Sequence, residues 1–153
     1  MSLKVAAVTL VLASACGGGD TTHLNFSEIN RTILQPSCAS ASVCHTVRGA
    51  LLANNLDLQT DAYHALVNAP AVNSQAQSEQ RVLVKPCDAE NSFLHIKFLL
   101  PDSADPSLGY GGRMPSSGNP PLPADQLAAI SNWIARGALQ EEPQPPTATN
   151  CTQ

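Results

Sequence analysis

Apolar residues recur every three to four positions in four stretches of the chain, which is the spacing of one face of an α-helix. The four predicted helices cover residues 26–34, residues 61–68, the residues that follow Asp88 or Asn91 as far as Leu100, and residues 124–136. A short run, residues 81–85, is instead rich in β-forming residues. The pattern therefore predicts an all-α domain built from short helices.

Capping residues and breakers mark where these helices begin and end. Asn25 or Ser27 is the predicted N-cap of the first helix, and Pro36 is its predicted stop. Thr60 is the predicted N-cap of the second helix. Gly137 fits the end of the last helix, which is the clearest of the four.

Loops rich in proline, glycine or polar residues separate the helices. Residues 70–80 are polar and predict a loop, and residues 101–123 predict a long irregular one. Long loops inside a domain are more often functional than short ones. Residues 141–153 form a proline-rich tail.

Length and charge exclude several classes of protein. The chain has 153 residues, which suits one domain, and its net charge of −4 argues against a nucleic-acid binder. Apolar runs stay shorter than the ~18–20 residues of a spanning helix, so a polytopic membrane protein is excluded.

The N-terminus has the features of an export signal. Lys4 precedes a short apolar run over residues 5–13, and small residues lead up to Cys16. The segment Leu12-Ala13-Ser14-Ala15-Cys16 resembles a bacterial lipobox, which implies that Cys16 is diacylated and becomes the mature N-terminus. Cleavage by an ordinary signal peptidase is the alternative.

The chain divides accordingly into four parts: a signal peptide (1–15), a lipidated tether (16–24), the domain (25–140) and the tail (141–153). The protein is expected to be exported to a bacterial cell envelope, with its lipid in the membrane. The residue after Cys16 is Gly17 rather than the aspartate associated with inner-membrane retention. This favours an outer-membrane lipoprotein that faces the periplasm or the cell surface.

Four cysteines remain after cleavage, and an even number in an oxidising compartment favours pairing or another covalent use. Cys87 and Cys151 have no histidine beside them. We expect these two to form a disulfide that fixes the tail to the turn at Pro86.

Cys38 and Cys44 are different, because His45 follows the second cysteine directly. Two cysteines followed by histidine are typical of covalent haem attachment, in which the thiols add to the haem vinyl groups and the imidazole reaches the iron. The usual spacing is C-x-x-C-H, and here it is C-x5-C-H. A Cys38–Cys44 disulfide is the alternative, since two cysteines this close in sequence can reach bridging distance.

Met114 is the candidate second axial ligand, because methionine sulfur often completes a low-spin haem. It lies in the segment Gly112-Arg113-Met114-Pro115, whose glycine and proline give a stiff loop. Arg113 could pair with a haem propionate or face water. His64 or His95 could replace Met114, and a zinc site at Cys38, Cys44 and His45 lacks a second ligand pair.

Several segments together resemble the cytochrome c-like domains of the planctomycete type that occur in bacterial lipoproteins, notably myxobacterial ones. The resemblance covers residues 28–138 and rests on these segments: Gln35-Pro36-Ser37-Cys38, Cys44-His45, Tyr63-His64-Ala65-Leu66-Val67, Val84-Lys85-Pro86-Cys87-Asp88, Gly112-Arg113-Met114-Pro115 and Asn132-Trp133-Ile134-Ala135-Arg136-Gly137. It differs at Cys87, where the family usually has glycine.

The resemblance implies a cytochrome c-like fold with haem c attached at Cys38 and Cys44. It also implies that His45 is the proximal iron ligand and Met114 the distal one. The expected function is electron transfer without bond chemistry on a substrate, so an enzyme is not expected, and the redox partner is not specified. The alternative is a haem-free envelope lipoprotein, stapled by disulfides, with a structural or binding role.

Overall fold

The computed structural model describes residues 23–40, 44–50, 55–103, 107–116, 118–141 and 151. Over these residues the chain is all-α, with no strand and two isolated β-bridges. The helical segments are α1 (Phe26–Ile29), a π-helical turn (Asn30–Leu34), α2 (Gln35–Cys38), α3 (Ala62–Leu66), α4 (Ser74–Ser78), α5 (Phe93–Leu99) and α6 (Ala124–Ala135). The signal peptide (1–15), Cys16 and the tether as far as residue 22 lie outside the described residues.

The first helix begins as predicted but continues through Pro36. Asn25 is the N-cap: its Oδ1 accepts from the Glu28 amide at 2.9 Å, and the Glu28 carboxylate accepts from the Asn25 amide at 3.0 Å. Pro36 was the predicted stop, and that prediction is wrong. The π-helical turn just before it shifts the hydrogen bonds by one residue, and Pro36 falls in the first turn of α2, where no N–H is required.

The second predicted helix is shorter than expected. Its N-cap is Asp61, whose side chain accepts from the His64 amide at 3.2 Å, whereas the hydroxyl of the predicted cap, Thr60, donates to Asp57 at 2.6 Å. α3 ends at Leu66 because Val67 turns to an extended conformation and forms a parallel bridge with Val84.

Two sequence interpretations of the middle of the chain need correction. Residues 70–80, predicted as a loop, contain the short helix α4, which Asn73 caps by accepting from the Ala76 amide at 3.0 Å. The β-prone run at residues 81–85 forms only isolated bridges in the described structure, Val67 with Val84 and Pro70 with Val82.

The third predicted helix corresponds to α5, and its N-cap is Ser92 rather than Asp88 or Asn91. Asp88 instead closes the preceding turn by accepting from the Asn91 amide at 3.2 Å. Leu99, the last residue of α5, is 61% exposed. It falls about 100° around the helix beyond Phe98 and so leaves the buried face.

α6 forms the centre of the main core, as its apolar face predicts. Trp133 is completely buried, its indole N–H donates to the Leu139 carbonyl at 2.8 Å, and its ring lies 5.2 Å from that of Phe26. The first and last helices therefore pack together. The largest fully buried side chains around them are Ile29, Ile33, Leu34, Leu58, Leu66, Ile130, Ile134 and Val84.

A second, smaller cluster holds the long loop against the body of the domain. It consists of Ala71, Ala76, Phe93, Leu100 and Tyr110. The ring of Tyr110 meets that of Phe93 edge-on, with centroids 5.2 Å apart. The described parts of residues 101–123 are irregular, as predicted, but Tyr110 fixes them in place. No helix in the described part of the chain is long and apolar enough to cross a membrane.

Candidate functional site

Cys38 and Cys44 are both free thiols, so the Cys38–Cys44 disulfide considered from the sequence is not formed. Cys38 lies at the end of α2 and is 8% exposed, whereas Cys44 is half-buried. Burial, with a smaller effect of the nearby Cys44, raises the pKa of the Cys38 thiol to about 12. Cys38 is therefore a neutral thiol. Residues 41–43, between the two cysteines, lie outside the described residues.

His45 is fixed by backbone hydrogen bonds on both sides. Its amide donates to the Cys38 carbonyl at 3.0 Å, and its own carbonyl accepts from the Leu58 amide at 2.9 Å. The first of these bonds closes the loop between the two cysteines and places the histidine beside Cys38.

The imidazole of His45 is oriented by the Leu56 carbonyl, which lies 3.2 Å from Nδ1. A carbonyl only accepts hydrogen bonds, so Nδ1 carries the proton and the lone pair is on Nε2. Burial lowers the pKa of the ring, opposed in part by this hydrogen bond, and so favours the neutral form. A neutral imidazole held through Nδ1 is the form in which histidine binds metals through Nε2.

Met114 packs against the same hydrophobic core cluster that contains Cys38. Its amide donates to the Lys97 carbonyl at 2.8 Å, which joins the loop to α5. The ammonium of Lys97 in turn donates to the carbonyls of Tyr110, at 3.0 Å, and Gly112. The structure thus places Cys38 and Met114, far apart in sequence, on one apolar cluster.

Arg113 is 7% exposed, so the possibility that it faces water is wrong. Its guanidinium donates to the Asp102 carboxylate, with Nε at 2.6 Å, and to the Asn119 carbonyl at 3.1 Å. These acceptors replace water. Nη1 is buried and has no hydrogen-bond partner.

The other two histidines considered as ligands occupy different environments. His64 is exposed on α3, and its Nδ1 lies 2.8 Å from the Asp61 carboxylate. His95 is half-buried on α5, and burial lowers its pKa. No group of three or more His, Cys, Asp or Glu in the described part of the chain is arranged to hold a metal ion. A zinc site at Cys38, Cys44 and His45 therefore has no geometric support.

Cys87 and Cys151 form a disulfide, the pairing that the sequence interpretation favoured, with their Cα atoms 5.6 Å apart. Cys87 has a φ of +68°, in the left-handed region that glycine adopts most easily. The Cys87 amide donates to the Ile134 carbonyl at 2.8 Å, so the bond lies beside the end of α6.

A surface cleft of about 480 Å³ is lined by none of the predicted site residues. Apart from Val82, its lining is polar or charged: Asn68, Glu79, Gln80, Arg81, Lys85 and Asn91.

Sequence reasoning missed the groups that orient the site. These are the Leu56 carbonyl, which holds His45, and Lys97, which holds the loop before Met114. Both contacts involve backbone atoms and so leave no residue-type pattern to detect.

No known protein family, curated protein or solved structure matches the chain.

Proposed function

We propose that the protein transfers electrons as a monohaem, c-type cytochrome-like lipoprotein of a bacterial cell envelope. In this proposal the helices form a cytochrome c-like fold, Cys38 and Cys44 would attach the haem, and His45 and Met114 would bind its iron. Cys16 carries the lipid, which holds the protein on the outer membrane.

The orientation of His45 is the main support for this proposal. The Leu56 carbonyl holds Nδ1 and leaves the Nε2 lone pair for a metal, and burial keeps the ring neutral. The same imidazole follows two unbonded thiols in a chain whose other two described cysteines are joined. Two thiols that could attach a porphyrin, with one neutral imidazole and one thioether that could bind its iron, match the residue types of a haem c site.

Each residue would have a separate role at the proposed haem site. Haem supplies a one-electron couple when it is bound. The Leu56 carbonyl orients His45, Cys38 is buried in the main hydrophobic core, and Met114 packs against the same core. Burial and ligand identity are the means by which a protein sets the potential of such a centre.

The second candidate is a haem-free, disulfide-stapled envelope lipoprotein with a structural or binding role. The observation that favours it is a core already filled by the chain's own side chains, with Trp133, Ile130 and Ile134 completely buried. The Cys87–Cys151 bond adds a covalent staple to that core.

The experiment is to produce the full chain, with its leader, in a bacterial host that carries haem-ligation machinery. We expect a Soret band and haem that stays on the protein through acid–acetone extraction. The double variant Cys38→Ser, Cys44→Ser should lose the covalent haem, and Met114→Leu should keep the haem but lose the sulfur-to-iron charge-transfer band. The matched control is His64→Ala, at an exposed histidine that should leave both signals unchanged.

A colourless wild-type protein from this host would refute the electron-transfer proposal and support the haem-free alternative. If the double cysteine variant still retains its haem through acid–acetone extraction, covalent attachment at Cys38 and Cys44 is refuted.

A further inference from the structure

The side chain of Lys97 is directed at the backbone of the loop that carries Met114. Its Nζ donates to the carbonyl of Tyr110 at 3.0 Å and to that of Gly112. Gly111 lies between these two residues with a φ of +74°, which lets both carbonyls turn toward the same ammonium. The carbonyls on both sides of Gly111 thus bind the same ammonium group.

Lys97 also holds Met114 through its own backbone. The Lys97 carbonyl accepts from the Met114 amide at 2.8 Å. One residue of α5 therefore contacts the loop at three alternate positions, 110, 112 and 114.

The ammonium is not explained by charge balance. Lys97 is half-buried, and none of the ion pairs among the described residues includes it. Taking a cation out of water costs free energy unless strong acceptors replace the water. Here the acceptors are two loop carbonyls, and hydrogen bonds to a charged donor are about twice as strong as neutral ones.

The side chain of Tyr110 anchors the loop separately. The Tyr110 hydroxyl donates to the Glu79 carboxylate, and its ring packs on Phe93. The ammonium of Lys97 contacts the carbonyls of Tyr110 and Gly112, and the Arg113 amide donates to the Pro101 carbonyl at 3.1 Å. Lys97 and Arg113 together therefore fix the path of the loop just before the methionine.

We propose that Lys97 is the positioning residue that holds Met114 in place as the distal ligand of the iron. This inference rests on the proposed function. Without the ammonium, the carbonyls of Tyr110 and Gly112 lose their shared donor, and residues 110–112 are held less tightly against α5, while Arg113 and the Met114 amide keep their own hydrogen bonds. The sulfur then binds the iron in a smaller fraction of molecules.

The test uses the holoprotein carrying Lys97→Met, which keeps the apolar stem of the side chain and removes its donors. We expect the Soret band and the covalent haem to remain, and the sulfur-to-iron charge-transfer band of the oxidised protein to weaken or disappear. Added imidazole competes with Met114 for the iron, so its affinity should rise by about tenfold or more.

Lys85→Met is the matched control, because that lysine is exposed and pairs with Asp88 at 2.7 Å, outside the loop. It should leave the band and the imidazole affinity unchanged. If Lys97→Met does not accumulate as folded protein, Lys97→Gln replaces it, since the amide keeps one donor group and should give a smaller change in the same direction.

The outcomes separate the two proposals. A colourless wild-type protein removes the proposed function and this inference together. Suppose instead that the wild type shows the charge-transfer band and that a folded Lys97 variant has the same band and the same imidazole affinity. This result refutes the inference alone. A Lys97 variant that is less stable but keeps both wild-type signals shows a purely structural role and also overturns it.

Discussion

The hydroxyl of Tyr110 donates to the Glu79 carboxylate, and Nε of Arg81 donates to both groups, at 2.6 Å to Glu79 and 2.9 Å to Tyr110. The Arg81 guanidinium also lies 5.6 Å from the centre of the Tyr110 ring. These three side chains join α4, the bridge region and the long loop. The ionised form of Glu79 is therefore tied to the position of the loop that leads to Met114.

The pH dependence of stability should reveal this carboxylate. Hydrogen bonds from Tyr110, and then from Gln75 and Arg81, lower the pKa of Glu79 from 4.5 to about 2. A carboxyl whose pKa is depressed by folding stabilises the protein above its unfolded pKa. That contribution is lost as the pH falls from about 4.5 to about 2. We expect Glu79→Gln to have a lower Tm than wild type near neutral pH and a shallower decline in Tm across this interval.

Thermal melts at a series of pH values test this expectation. The control is Glu90→Gln, at an exposed glutamate, which should follow the wild-type curve. Parallel curves for wild type and Glu79→Gln between neutral pH and about pH 2 would contradict the assignment.

Among the helices, the sequence predicted those whose signals are local. One such signal is the capping residue Asn25, and another is the apolar spacing of residues 124–136. Both lie within or next to the helix that they predict, and α1 and α6 begin where these signals indicate. α4 was missed because it buries a single residue, Ala76, and gives almost no periodic pattern. The prediction that the first helix ends at Pro36 is wrong because the preceding π-helical turn shifts the hydrogen bonds and so accommodates the proline.

The N-cap of α1 provides a test at the level of one element. Asn25→Ala should lower the free energy of unfolding by about 1 kcal/mol, because it removes the acceptor for the Glu28 amide. The matched control is Ser27→Ala, the other cap considered from the sequence, which is exposed and should change stability much less. Urea denaturation measures both, and equal losses for the two variants would contradict the role of Asn25.

Over the whole molecule, the two ends of the domain meet. The Phe26 ring lies 5.2 Å from Trp133 and 5.1 Å from Tyr63, and the Tyr63 hydroxyl donates to the Ala138 carbonyl at 3.0 Å. The apolar spacing of residues 124–136 predicts a buried helix face, but it does not predict which residues that face contacts, because these contacts join residues far apart in the chain. The same holds for the candidate site, where residue types indicated His45 and Met114 but not the Leu56 carbonyl or Lys97 that orient them.

The Cys87–Cys151 disulfide ties the tail to this meeting point. It joins residues 64 positions apart. The Cys87 amide donates to the Ile134 carbonyl at 2.8 Å, and the Cys151 sulfur lies 3.1 Å from the Ala135 carbonyl oxygen. Closing so long a span restricts the unfolded chain, so Cys151→Ser should lower the free energy of unfolding by ~2–4 kcal/mol. Urea unfolding with and without a thiol reductant measures the effect.

The reductant supplies the control within the same experiment. It should lower the urea midpoint of the wild type to that of Cys151→Ser and leave the variant unchanged, because Cys38 and Cys44 are not bonded to each other. Thioethers to haem also resist mild reduction, so the expectation is the same for the haem-bound protein. A reductant that destabilises Cys151→Ser further would indicate a second disulfide and contradict the free thiols at Cys38 and Cys44. A wild-type midpoint that does not respond would show that the tail bond contributes little to the fold.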